Sequence, residues 1–96
     1  MELSKRIRDI IEKNNDTIDL SGECIHYTQL PLVVELLNKK SINTLILSRN
    51  NLDDRCFEPL SKIKFLETLD LSQNDIRGRN IDALVNIKYI DMSDNP

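Results

Sequence analysis

The chain has no tryptophan, two tyrosines and two phenylalanines, so aromatics are 4% of its 96 residues. Any core it builds must be aliphatic. It has two glycines, Gly22 and Gly78, too few for a Gly-rich loop that cradles phosphate. With three prolines besides, collagenous and low-complexity architectures are excluded. The single histidine, His26, supports no Ser-His-Asp or Cys-His arrangement. It follows Ile25 and reads as a loop or outer-side residue. Cys24 and Cys56 stand far apart and fit neither a zinc nor a thioredoxin spacing, so two reduced, mostly buried thiols are expected. No catalytic, metal-ligating or cofactor-binding set emerges, and the expectation is a protein that is not an enzyme.

Neither sign of charge dominates. Thirteen Lys and Arg stand against sixteen Asp and Glu, a net of −3, so nucleic acid is not an expected partner. Long hydrophobic runs are missing too. The opening MELSKRIRDIIEKN is charged throughout, unlike a secretory signal or a membrane span. No membrane partner is expected, and cytoplasmic residence is. One domain over 1–96 follows from the length. A compact chain of this size buries roughly 60–70% of its unfolded surface, enough for a core without metals or disulfides.

What the chain does have is a repeat. INTLILSRNNL (42–52), LETLDLSQNDI (66–76) and IKYIDMSDNP (87–96) share the order aliphatic-x-x-aliphatic-x-aliphatic-x-x-Asn. The first two add a final x-aliphatic. Leu, Ile, Val and Met total 31 residues and Asn totals 10. Chance then gives roughly 0.1 full matches in the whole chain, against two found. The central residues Leu45, Leu69 and Ile90 are spaced by 24 and 21 residues. A weaker copy, TIDLSGECI (17–25), puts Ile18 in the equivalent place, 27 residues before Leu45.

This pattern resembles the leucine-rich repeat family, whose unit is a short strand plus a helix or 3₁₀ turn. The first unit is similar to the ribonuclease-inhibitor subclass, because LPLVVELLNKK reads as a full helix. The later, shorter units are more similar to the typical or bacterial subclasses. Two departures fall in the first copy, where terminal repeats are atypical. Glu23 stands in the asparagine slot, and Asn15 stands where the leading aliphatic is expected.

Residue physics supports the same picture. Leu45 and Leu47, Leu69 and Leu71, and Ile90 and Met92 alternate with a second set that is polar except for Ile46 and Tyr89, one set inward and one outward. Such short strands need parallel neighbours and crossovers of a dozen or more residues, which the intervals allow. Asn50, Asn74 and Asn95 follow each strand where the chain bends inward, and an amide can satisfy both the N–H and the C=O groups exposed there. The crossovers read as helical: Thr28–Lys40 with Pro31 in its first turn, a shorter set from Cys56 to Ile63 limited by Pro59, and Ile81, Leu84 and Ile87. Lys39 and Lys40 end the first of these, where cations favour a helix C-terminus, and read as solvated and structural. Asp53 and Asp54 read as a helix cap. Leu3, Ile7, Ile10 and Ile11 form an apolar stripe opposite Lys5, Arg6, Arg8, Glu12 and Lys13, a helix covering the first strand.

The fold expected is therefore α/β: a short leucine-rich-repeat solenoid with about four parallel strands on the concave face, helices or 3₁₀ turns on the convex face, and an N-terminal helical cap. Residues 1–15 form the cap and 16–96 about three and a half repeats, truncated at the C-terminus. The outward strand residues stack into three columns. One holds Thr17, Thr44, Thr68 and Tyr89, the next Asp19, Ile46, Asp70 and Asp91, the third Ser21, Ser48, Ser72 and Ser93. Asp70 and Asp91, on adjacent strands, would repel.

The resemblance implies a non-catalytic protein-binding module. The candidate partner-binding residues on the concave face are Thr44, Ile46, Ser48, Thr68, Asp70, Ser72, Tyr89, Asp91 and Ser93, facing a protein partner with a basic segment. The alternatives are an N-terminal fragment of a larger leucine-rich-repeat protein, such as a bacterial effector acting in a host cytosol or an enzyme whose catalytic domain lies elsewhere, and a homodimer joined through the C-terminal edge.

Overall fold

The computed structural model describes residues 2–96. Four three-residue strands, β1 (Thr17–Asp19), β2 (Thr44–Ile46), β3 (Thr68–Asp70) and β4 (Tyr89–Asp91), form one parallel sheet in the order β1-β2-β3-β4. The repeat sets the register: Ile18 pairs with Leu45, Leu45 with Leu69, and Leu69 with Ile90. Inward residues Ile18, Leu45, Leu47, Leu69 and Leu71 are fully buried. They meet Leu30, Val33, Leu37, Phe57 and Leu60 from the crossovers in one core, which is aliphatic as expected except for the fully buried Phe57 ring.

The crossovers thin out as the intervals shorten. Between β1 and β2, a 3₁₀ turn (Tyr27–Gln29) runs into α2 (Leu30–Leu37). Between β2 and β3, a 3₁₀ turn (Asp54–Cys56) runs into the single-turn α3 (Phe57–Leu60). Between β3 and β4 only a 3₁₀ turn (Ile81–Leu84) is left. The helix expected over Thr28–Lys40 is thus shorter at both ends. His26 caps its start, accepting from the Thr28 N–H at 3.3 Å. Asn38 closes its end: its amide donates to Lys62 O at 2.9 Å and accepts from Lys64 N at 2.8 Å, which ties two successive crossovers together. The helix expected at Ile81–Ile87 is likewise only the 3₁₀ turn, because 21 residues leave no room for more.

The N-terminal cap helix, α1 (Lys5–Lys13), is shorter than residues 1–15 and buries Ile7 and Ile11 against the core. Ser4 starts it, accepting from the Ile7 N–H at 3.2 Å. Lys40 ends it. Its ammonium donates to the carbonyls of Ile11, Glu12 (3.1 Å) and Asn14. Lys40, expected to serve the end of its own crossover helix, is structural at a different one: it satisfies the orphan carbonyls at the α1 C-terminus.

The asparagines form a ladder. Asn50 accepts from Glu23 N (3.1 Å) and Ile25 N (2.9 Å) and donates to the carbonyls of Leu20, Leu47 and Ser48. Asn74 does the same one unit later, accepting from Asn50 N and Leu52 N, and Asn95 accepts from Ile76 N at 2.7 Å. Each amide therefore reaches back to the preceding unit. In the first unit, which α1 precedes, the Asn slot holds Glu23, which takes a two-pronged grip on Arg6 of α1 at 2.7 and 3.0 Å. The residue just before the slot is left-handed in all four copies: Gly22 (φ 64°), Arg49 (56°), Gln73 (55°) and Asp94 (57°).

Candidate functional site

The face of the sheet turned away from the core carries two of the columns in register: Thr17, Thr44, Thr68 and Tyr89 side by side, then Asp19, Ile46, Asp70 and Asp91. Thr44, Ile46, Thr68 and Asp70 are half-buried on this face, while Asp91, Ser93 and Tyr89, the last 68% exposed, are open at its β4 end. Ser48 and Ser72, expected outward with the rest, are buried. Beyond the strand the chain has already begun its inward bend, which draws the third column off the open surface.

The aspartates have a structural task that the sequence reading did not assign. Asp19, Asp70 and Asp91 each accept, at 2.9 Å, the backbone N–H of the serine two residues on: Ser21, Ser72 and Ser93. The side chain thus mimics a backbone turn and ends the strand. Asp91 also takes the Ser93 hydroxyl at 2.7 Å. The Ser21 hydroxyl and N–H lower the Asp19 pKa, helped by the charge of Arg49, and the Ser93 N–H and hydroxyl lower that of Asp91. These two carboxylates therefore stay ionised. The repulsion expected between Asp70 and Asp91 is met by fixing each carboxylate to its own turn. Asp-x-Ser in three of the four copies was the legible signal for this.

At one rim of the sheet lies a second polar cluster. Asp53 caps the 3₁₀ turn at Arg55 N (3.0 Å) and grips the Arg55 guanidinium at 2.8–3.2 Å. That guanidinium lies 3.8 Å from the Tyr27 ring centroid. Asp53 is held below its ordinary pKa chiefly by these Arg55 bonds. Asp54, expected to cap alongside it, instead reaches forward and accepts three consecutive backbone N–H groups, of Arg77 (2.8 Å), Gly78 (3.1 Å) and Arg79 (2.8 Å). Burial pushes its pKa up, but those three donors outweigh it and the net shift is down. Gly78, at φ 96°, allows the chain to curl round the carboxylate.

The cysteines part company. Cys56 is buried, and burial, with Asp53 and Asp54 adding to it, pushes its thiol up to about 12. Cys24 is exposed, against expectation, and stands at φ 57° just before the buried Ile25. Among the described residues no cluster of three or more His, Cys, Asp or Glu is placed to hold a metal ion. Among them, too, no helix is long and apolar enough to cross a membrane.

The strand, the Asn-closed bend and the returning 3₁₀ turn make up one unit, repeated in register. Residues 65–87 match the Leucine Rich Repeat family model. The matched leucine-rich repeat contains β3, the Asn74 bend and the third crossover. The match supports reading the protein as a leucine-rich repeat protein, and the four parallel strands with their helical crossovers are consistent with a short fold of that family. Leucine-rich repeat domains generally mediate protein–protein interaction and are typically not enzymes. No curated protein and no solved structure shows significant similarity to this chain.

Proposed function

We propose that this protein is a non-catalytic interaction module that binds a protein partner through the open, concave face of its sheet. The observation that carries the reading is the face itself. Tyr89 is 68% exposed beside Asp91, and the carboxylates of Asp19, Asp70 and Asp91 are held in place by their own turns. Tyrosine is enriched among interface hot spots, and pre-oriented carboxylates suit a basic segment at little ordering cost. Thr44, Thr68 and Ile46 line the middle of the face, with Ser93 open at its margin, while Ser48 and Ser72 lie buried behind it.

The face is small. Four strands about 4.8 Å apart span about 15 Å, whereas a stable interface covers about 800 Å² per partner. A partner therefore also touches the rims, or binds weakly. The test is quantitative affinity purification with wild type and with Asp70→Asn plus Asp91→Asn. Asparagine keeps the acceptor that closes each turn, so the fold is retained while the charge is lost. Partners captured by wild type should be depleted in the variant, and their binding should weaken with salt in wild type alone. Equal capture and equal salt dependence refute the site.

One observation favours a second reading, end-to-end pairing of two chains. Ile90 and Met92 are only half-buried at β4, and no strand lies beyond β4 among the described residues. Sedimentation over a range of concentrations tests it. A constant monomer mass excludes it.

A further inference from the structure

Phe65 does not fit the repeat. Four residues before the central aliphatic, the neighbouring units carry Ser41 and Asn86, and this one carries an aromatic. Its ring is 78% exposed, more than that of any other large hydrophobic among the described residues. Its backbone is left-handed at φ 65°, a region that bulky residues avoid. A strained, exposed aromatic adds nothing to the core. Observed strain at such a position points toward a role in function.

The loop that presents it is pinned. Asn38 bonds Lys62 O and Lys64 N from the preceding crossover, so the chain reaches Phe65 along a fixed path. Beside the ring opens a groove of about 470 Å³ between α3 with its following loop and the Ile81–Leu84 turn. Leu60, Ile63, Leu84 and Ile87 supply its apolar floor. Lys62 and Lys64 line it, and no carboxylate does, although the whole chain is net acidic. Lys62 pairs with Glu58 at 3.1 Å, while Lys64 forms no ion pair among the described residues. The groove lies at the end of the sheet where the chain enters β3 and β4, away from the column of aspartates.

We propose that this groove docks an acidic linear peptide segment, which inserts an aliphatic or aromatic side chain beside Phe65 and places its carboxylates near Lys64 and Lys62. The charge of the lining selects the sign of the partner. The apolar floor selects its anchor. This surface is separate from the strand face, and a partner of opposite charge character would occupy each.

The test is selection of a random twelve-residue peptide library displayed on phage against the intact, immobilised chain, followed by anisotropy titration of the enriched peptides with wild type, Phe65→Asn, Lys64→Glu and Tyr89→Ser. Asparagine tolerates the left-handed backbone, so Phe65→Asn should leave Tm unchanged or raised while binding falls at least tenfold. Lys64→Glu should also lose at least tenfold, and Tyr89→Ser should bind as wild type. Enrichment of carboxylate-rich peptides with one apolar anchor and this variant pattern supports the proposal. It is overturned by enriched peptides that lack carboxylates, by affinity indifferent to Phe65→Asn, by loss with Tyr89→Ser instead, or by no enrichment. A concentration-dependent mass that Phe65→Asn abolishes also overturns it, by giving the groove to a second copy of the chain.

Discussion

The asparagine ladder predicts a gradient of stability along the chain. Asn50 is 5% exposed, and its amide accepts from two backbone N–H groups and donates to three carbonyls. Asn50→Ala leaves the N–H groups of Glu23 and Ile25 and the carbonyl of Leu20 without this partner inside a closed bend, while Leu47 O keeps its bond from Asn74. A buried unsatisfied group costs about 1–3 kcal/mol, and a net hydrogen bond contributes about 1 kcal/mol. The loss at Asn50 should therefore be about 3–5 kcal/mol, a large part of the stability of a domain this small. Asn95 makes similar bonds, to Leu71 O, Met92 O and Ser93 O and from Ile76 N, but it is only half-buried. Water can replace its amide there, so Asn95→Ala should cost about 1 kcal/mol. Asn74, half-buried between them, should be intermediate. Urea denaturation followed by circular dichroism reads the difference. With a slope of about 2 kcal/mol/M, the midpoint should fall by about 2 M for Asn50→Ala and about 0.5 M for Asn95→Ala. Equal shifts at the two ends would refute the argument, because they would mean that depth does not decide the value of the ladder.

The other predictions bear on packing, chemistry and pH. Leu69 is fully buried between neighbouring units, so Leu69→Ala should cost about 2–5 kcal/mol in the same urea assay. Lys40→Met keeps the stem but removes the cation that caps α1, and should speed hydrogen exchange of the last turn of α1 more than that of β3. At pH 8 an alkylating agent should modify Cys24 within minutes and leave Cys56 untouched until the chain is unfolded, since the buried thiol is pushed up to about 12. Asp19, Asp53, Asp54 and Asp91 all have lowered pKa values in the folded state. Their contribution is fully present above the unfolded carboxylate pKa of about 3.9 and is lost as pH falls through the folded values. Thermal midpoints should thus drop below about pH 4, and Asp54→Asn should flatten that acid limb.

Much of this protein was written in the spacing of its residues. Four aliphatics and an asparagine at fixed offsets dictate strand, bend and return, because alternation buries one set of side chains and the bend needs an amide. The register of Ile18, Leu45, Leu69 and Ile90 follows from those offsets alone, as does the aliphatic core. What tertiary structure decided were the partners of polar groups across units. Lys40 ends a helix 29 residues upstream of it, Asp54 holds the next unit rather than its own turn, and Asn38 shortens α2 by bonding the following crossover. A charged or amide side chain reaches several ångströms and finds whichever unsatisfied N–H or C=O the stacking brings near, and no local pattern records which that will be. The same holds for the surface. Sequence periodicity assigned the serines outward, but the onset of the bend buried Ser48 and Ser72. Periodicity marks Phe65 only as an aromatic where neighbouring units carry Ser41 and Asn86, whereas its exposure and left-handed backbone are properties of the fold.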